Sequence, residues 1–160
     1  MDEYLTENFN IADVITEGLI DLDLQAESKE EAILELTNIL YKEGLITDVT
    51  DFSEDVFLRE KEGATGLGQG VAIPHGKSDS VIKTALAIGK TTHPIEWESL
   101  DDKPVNIIIL FAVRNTEANT LHIKLLQKVA ILLADDSFIH ALCHVKTKKE
   151  LLRLLSKEPG

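Results

Sequence analysis

The sequence has little of what defines several large protein classes. Its single cysteine, Cys143, excludes an internal disulfide and a zinc site built from a cysteine cluster. Aromatic residues make up only 5% of the chain, so aliphatic side chains must form most of the core. The longest apolar run, Val105–Val113, falls well short of the ~20 residues that a membrane helix needs. Residues 1–10 lack the pattern of a signal peptide, so we expect a cytoplasmic protein with no membrane insertion.

Basic charge is also scarce, and the acidic charge is unevenly placed. The net charge is −12, and residues 1–63 hold 18 acidic and 4 basic side chains. The remaining residues hold 10 acidic and 12 basic side chains. The acidic residues 1–63 are expected to repel nucleic acid and anionic lipid, which disfavours binding to either. The acidic surface either steers a basic protein partner or simply keeps the chain soluble.

Helical and strand patterns alternate along the chain, which predicts an α/β fold in a single domain over residues 1–160. Two capping boxes, which begin at Ser28 and Thr147, mark helix starts. The predicted helices are 28–44, Ser53 to about Lys61, Leu121–Leu133, Ser137–His144 and one that follows Thr147. The predicted strands are Leu19–Leu24, Ala85–Ile88 and Val105–Val113.

Residues 58–79, LREKEGATGLGQGVAIPHGKSD, carry the chemistry. A Walker phosphate loop does not fit, because five residues rather than four separate Gly70 from Gly76-Lys77-Ser78. The dinucleotide fingerprint fails because Val71 stands at its third glycine. What fits is a histidine on a constrained backbone, because Pro74 fixes its own φ and restricts the residue before it.

His75 is the candidate nucleophile of this segment. A neutral imidazole attacks phosphorus near pH 7 and holds a phosphoryl group covalently. Gly76 lets a bulky partner approach the ring, and the glycines before it expose N–H groups that suit an anion. The plainer alternative is a histidine that closes an ordinary loop. We predict a phosphate-binding loop that consists of Thr65, Gly66, Gly68, Gly70 and Gly76.

This segment resembles the active-site region of enzyme IIA domains of the fructose/mannitol type, from the bacterial sugar phosphotransferase system. The residues that carry the resemblance are Arg59-Glu60 and the run Thr65-Gly-x-Gly-x-Gly-x-Ala-Ile-Pro-His75-Gly-Lys77. The resemblance continues through 95–105 and the apolar strand to His122 with Leu125-Leu126, and it is most like the fructose branch.

The resemblance implies a phosphotransferase in which His75 is phosphorylated, with Arg59 and His122 as its active-site partners. The donor would be the phosphohistidine of the carrier protein HPr. The acceptor would be the cysteine of a IIB domain, with the membrane IIC domain involved indirectly. The transfer so implied needs no metal or other cofactor. The implied fold is a mixed, mostly parallel sheet flanked by helices on both faces.

Several alternatives stay open at the level of the residues. A regulatory IIA protein of the nitrogen type resembles this motif and signals by binding other proteins. Arg59 is either a phosphate ligand or a helix partner of Asp55, and Glu60 either orients Arg59 or faces water. A metal hydrolase using His75, His122 and Asp79 is a further rival. His140, Cys143 and His144 share one helical face, which is either a metal site or an ordinary, partly buried helix.

Overall fold

The computed structural model describes residues 11–117 and 121–156. The acidic residues 1–10, on which the prediction about a signal peptide rests, lie outside them. The strands are β1 (Ile20–Leu24), β2 (Gly66–Gly68), β3 (Val71–Ala72), β4 (His75–Ser78), β5 (Ala85–Ile95) and β6 (Val105–Arg114). The helices are α1 (Lys29–Lys42), α2 (Val49–Glu60), α3 (Leu121–Leu133), α4 (Asp136–His144) and α5 (Lys148–Leu155). In these two ranges no helix is both long and apolar enough to span a membrane.

The strands form one mixed sheet around the buried strand β6. Their order is β1-β5-β6-β3-β2, and β4 pairs with β6 beyond the end of β3. Three pairings are parallel, β1–β5, β3–β6 and β4–β6, and two are antiparallel, β2–β3 and β5–β6. Helices flank the sheet on both faces, so the predicted fold class is confirmed. The apolar run of β6 is buried from Ile107 to Val113, as expected of a central strand.

Side-chain caps determine where the helices begin. The Ser28 hydroxyl accepts from the Glu31 N–H, and the Thr147 hydroxyl accepts from the Glu150 N–H at α5, so both predicted helix starts are confirmed. The prediction that the second helix begins near Ser53 is wrong. The Asp48 carboxylate accepts from the Asp51 N–H at 3.0 Å and starts α2 at Val49. That cap moves the helix start four residues toward the N-terminus.

Three short strands occupy the glycine-rich segment, where the sequence predicts only a loop. Strands β2, β3 and β4 have two to four residues each, too short for an apolar/polar alternation to be visible. β5 is also longer than the predicted Ala85–Ile88, because its pairing with β6 continues through Gly89 and Lys90 and resumes at Ile95. His75 therefore lies on a strand of the central sheet rather than on a free loop.

Helix α2 packs directly on β4. A Cβ atom at Gly76 would lie 2.6 Å from Cε1 of Phe52 and 2.8 Å from Cγ2 of Val56, so only glycine allows this approach. Two carboxylates of the helix bond to the strand beside it. Asp55 accepts from the Lys77 N–H at 2.6 Å, and Asp51 accepts from the hydroxyl of the following serine at 2.8 Å. The helix and the strand are thereby fixed to each other.

We expect Gly76→Ala to destabilise the protein. Phe52 and Val56 are fully buried and cannot move away from an added methyl group without disturbing the core. Overpacking of this kind costs about 1–3 kcal/mol. Urea denaturation of the variant and of the wild type measures the loss.

Gly63→Ala is the matched control. A Cβ atom at Gly63 meets nothing within 4 Å, and its φ is not in the positive range. The control is therefore expected to change stability little. Equal stability of the two alanine variants would contradict the tight contact between α2 and β4.

Candidate active site

His75 begins β4 and is held against the centre of the sheet. It pairs with Phe111 of β6, and the Phe111 N–H donates to the Pro74 carbonyl at 2.9 Å. The imidazole stacks on the Phe111 ring, with centroids 4.7 Å apart and planes 17° apart. Only 7% of His75 is exposed. The strand pairing and the aromatic ring below it therefore fix the direction of the imidazole.

The structure brings His122 and Arg59 to the same place. His122, in the first turn of α3, presents its ring to His75 edge-on, with centroids 5.1 Å apart. Arg59, in the last turn of α2, lines the same open pocket, which has a volume of about 340 Å³. The rest of the lining is Asp55, Leu58, Glu62, Lys77 and Asn115. The three residues that the resemblance implies thus meet in one pocket, although they come from three separate elements.

The helix-partner alternative for Arg59 is not seen. In residues 11–117 and 121–156, Arg59 forms no salt bridge with Asp55 or with any other acid. The Asp55 carboxylate is bonded to the Lys77 N–H instead. The guanidinium is therefore left for a ligand in the pocket, and its planar set of donors suits the oxygens of a phosphoryl group.

The surroundings of His75 disfavour its protonated form. Burial is the largest cause, and the positive charges of His122, Arg59 and Lys77 add to it. The Ile73 carbonyl opposes them, but the net result lowers the pKa of His75 to about 4. At neutral pH the ring is therefore uncharged and has a lone pair available for nucleophilic attack.

The predicted loop residues lie elsewhere. Among the described residues that line the pocket, Thr65, Gly66, Gly68 and Gly70 do not appear. They form the β2–β3 hairpin, which packs on the connection from β5 to β6. Gly66 accepts this packing because its Cα lies against Ser99, where a Cβ atom would come within 2.6 Å. Their role as phosphate ligands, like that of Gly76 beside His75, stays a prediction.

The backbone N–H groups of this hairpin are partly occupied within the chain. The Gly66 N–H donates to the Glu98 carbonyl at 3.0 Å. The Gln69 N–H donates to the Asp101 carboxylate at 3.0 Å. Gly70 has φ of +85°, a conformation that favours glycine over other residues. Tight packing and backbone conformation thus account for several of these glycines without a ligand.

Some site residues were not evident from the sequence. Phe111 supports the imidazole, but within an apolar strand it resembles any core residue. Asn115 lines the pocket, and its side-chain amide donates to Asp79 at 3.0 Å. Asn115 follows directly on β6, and that position, at the end of a central strand, is the signal that marks it.

Metal binding finds no support in the described part of the chain. It contains no group of three or more His, Cys, Asp or Glu side chains placed to hold an ion. Asp79 is bonded to Asn115, and His144 Nδ1 lies 2.7 Å from the His140 carbonyl oxygen. Neither of the two metal arrangements that the sequence left open is assembled.

Comparison with known proteins identifies the family to which the chain is similar. Residues 13–158 match the family model described as phosphoenolpyruvate-dependent sugar phosphotransferase system, EIIA 2. The 2-O-alpha-mannosyl-D-glycerate-specific EIIABC component of Escherichia coli is 35% identical over 94% of this chain, which spans 23% of that protein. The fructose-like EIIA component of Escherichia coli is 31% identical over 88% of this chain and 94% of its own length.

Solved structures of IIA proteins have a similar fold. Nitrogen regulatory protein IIA-Ntr from Neisseria meningitidis is 33% identical, with a TM-score of 0.84 over 91% of this chain and 98% of its own. The mannitol enzyme IIA of Escherichia coli, in its complex with phosphorylated enzyme IIB, is 29% identical. Its TM-score is 0.75, over 88% of this chain and 96% of its own.

We expect NMR titration of the His75 ring to give a pKa of about 4. Because this value lies below the 6.5 of an unperturbed histidine, the unfolded chain binds the additional proton. Stability should therefore fall as pH drops from about 6.5 toward 4, by on the order of 3 kcal/mol from this group at ~1.36 kcal/mol per pH unit.

His75→Gln should remove this part of the pH dependence of stability. A His75 ring that titrates near pH 6.5 would contradict the arrangement of charges described above.

Proposed function

The chain belongs to the EIIA 2 family of the phosphoenolpyruvate-dependent sugar phosphotransferase system, and we propose that it is a phosphocarrier that accepts its phosphoryl group on His75. The observation that carries the proposal is a neutral, buried imidazole that opens on one pocket with Arg59 and His122. Such a ring is a competent nucleophile at neutral pH, and the two other groups supply positive or hydrogen-bonding character beside it.

We assign the transfer to Nε2 of His75. Nδ1 is shielded from solvent, so a donor that arrives through the pocket finds the other ring nitrogen. The lone pair of Nε2 attacks phosphorus, and a new N–P bond forms while the N–P bond of the donor breaks. The electron pair of the broken bond returns to the donor's imidazole. The donor is proposed to be phospho-HPr, as the family resemblance implies.

Arg59 and His122 are proposed to stabilise the transferring group. Phosphoryl transfer passes through a loose transition state with charge on the equatorial oxygens, so positioning and electrostatics dominate catalysis. The Arg59 guanidinium bridges two oxygens, while the edge of the His122 ring approaches from α3. Lys77, which also lines the pocket, adds a positive charge.

The proposed acceptor is the cysteine of a IIB domain. This step is supported by the similarity to a mannitol enzyme IIA whose structure was solved with phosphorylated IIB. The names of the curated relatives support sugar uptake, with fructose-type sugars favoured, as the function that the transfer serves. Because the chain spans 23% of the EIIABC relatives, the sugar itself depends on domains outside it.

The similarity to IIA-Ntr favours a second candidate function, regulation through protein binding. In that case the phosphoryl group on His75 would report a metabolic state rather than supply a transporter. The two functions differ in whether the group leaves His75 for a IIB cysteine. Transfer within seconds favours transport, whereas a phosphohistidine that persists beside IIB favours regulation.

We expect incubation with phosphoenolpyruvate, enzyme I and HPr to add one phosphoryl group, labile to acid and stable to base. His75→Ala should abolish the labelling because it removes the nucleophile. Mass spectrometry follows the reaction, and NMR of the labelled protein identifies the ring nitrogen.

His93→Ala is the matched control and should be labelled like the wild type, because His93 is exposed and does not line the pocket. Persistent labelling of a folded His75→Ala variant would remove His75 from the nucleophile role.

We expect Arg59→Ala and His122→Ala to slow the transfer without changing the labelled residue. Loss of one preorganised donor to a developing oxyanion costs up to about 10²–10³ in rate. Arg59→Lys should recover only part of the loss, because a point charge does not reproduce a planar, two-point contact. Single-turnover transfer from phosphorylated HPr gives the rates.

Arg153→Ala, which removes an exposed arginine from α5, should transfer at the wild-type rate. Wild-type rates in the Arg59 and His122 variants as well would mean that both side chains are structural.

A further inference from the structure

Glu60 is the last residue of α2 and directly follows Arg59. Its side chain is only 4% exposed, and a carboxylate so buried needs bonded partners. It has two: Oε1 lies 3.1 Å from Nζ of Lys29, and Oε2 accepts from the Thr65 hydroxyl at 2.7 Å. Of the two possibilities that the sequence left open for Glu60, contact with water is therefore not seen, and any orientation of Arg59 acts through bonds to Lys29 and Thr65 rather than through a direct pair.

The partners of Glu60 are themselves held. The Thr65 hydroxyl also accepts from Nε1 of Trp97 at 2.9 Å. Nζ of Lys29 lies 2.5 Å from Oε1 of Glu98 and 5.7 Å from the centroid of the Trp97 ring. Burial lowers the pKa of Lys29, but its hydrogen bonds to Glu98 and Glu60 outweigh that effect and raise it. Glu60 thus joins the end of α2 to the start of α1, to the glycine hairpin and to the connection from β5 to β6.

This anchorage acts at the part of the helix that carries Arg59. The last turn of a helix lacks part of its hydrogen bonding and frays most easily. Successive helical side chains point about 100° apart, because a turn takes 3.6 residues. Because the Glu60 side chain is held by Lys29 and Thr65, the Arg59 side chain points in a different direction, where it lines the pocket. A fixed carboxylate at one position thereby fixes the direction of the guanidinium at the next.

We propose that Glu60 is a positioning residue, whose bonds to Thr65 and Lys29 fix the last turn of α2 and hold the Arg59 guanidinium beside His75. Its effect on the transfer rate rests on the proposed function. Its effect on the placement of Arg59 is a property of the unphosphorylated protein and is measured without any transfer.

The first measurement is the pKa of His75 by NMR in Glu60→Ala. Removal of a carboxylate by itself lowers the pKa of a nearby imidazole, because a negative charge favours the protonated ring. Displacement of Arg59 acts in the opposite direction, since its charge lowers the pKa of His75 in the intact protein. We expect a rise, and no further rise when Glu60→Ala is added to Arg59→Ala. A fall or an unchanged value in Glu60→Ala overturns the proposal.

Two further variants make this measurement specific. Glu54→Ala removes the same charge from an exposed position on the same helix and should give no rise in the pKa of His75. Thr65→Val removes the donor to Glu60 without changing any charge, so a rise there comes from displacement alone. If Glu60→Ala does not fold, Thr65→Val decides the matter, and an unchanged pKa in it overturns the proposal.

The second measurement is a double-mutant cycle on single-turnover transfer. With Arg59 present, Glu60→Ala should slow the transfer roughly tenfold, since small misplacements of a catalytic group lower the rate by up to about 10²-fold. In the Arg59→Ala background the same change should cost less than about twofold, because the two residues act through one interaction. Glu60→Gln, which keeps an acceptor for Thr65, should recover part of the rate. Equal losses in both backgrounds overturn the proposal, whereas a wild type that accepts no phosphoryl group overturns only the proposed function.

Discussion

The contact between α2 and β4 determines where the groups of the site lie. The helix approaches the strand so closely at Gly76 that no Cβ atom fits, and the carboxylates of Asp51 and Asp55 bond to the residues that follow. Arg59 belongs to this helix and His75 to this strand. Their separation is thus determined by the packing of the helix on the strand more than by the side chain of Arg59 or His75. A shift of about one ångström in the helix changes the site even though the contact itself binds no ligand.

One arrangement of charges serves both states of the proposed cycle. Burial and the positive groups around His75 keep its resting ring neutral, which lowers stability in acid. The same positive groups favour an anionic phosphoryl group once it is attached. Of the two carboxylates that also line the pocket, Asp55 and Glu62, the first accepts from the Lys77 N–H and is thereby held against the backbone of β4.

Local signals in the sequence predicted the helices well, but they predicted the strands and side chains around His75 only in part. Ser28 and Thr147 determine helix starts through their own side chains, so neighbouring residues suffice to find them. The start of α2 was missed because the cap, Asp48, precedes a segment with little apolar periodicity. Phe111 shows how a tertiary role escapes prediction, since its stacking on His75 depends on the pairing of two strands far apart in sequence.

The glycine pattern that points to the family has a structural explanation that is not visible in the amino-acid sequence. Gly66 allows the hairpin to pack against Ser99, and Gly70 provides a positive φ beside Asn106. The hairpin in turn presents Thr65 to Glu60, next to the arginine that lines the pocket. Much of the motif therefore shapes and anchors the surroundings of the pocket. The pocket itself is lined by Arg59 of α2, His122 of α3 and Lys77 of β4. A sequence motif can locate a site through residues that support it without lining it.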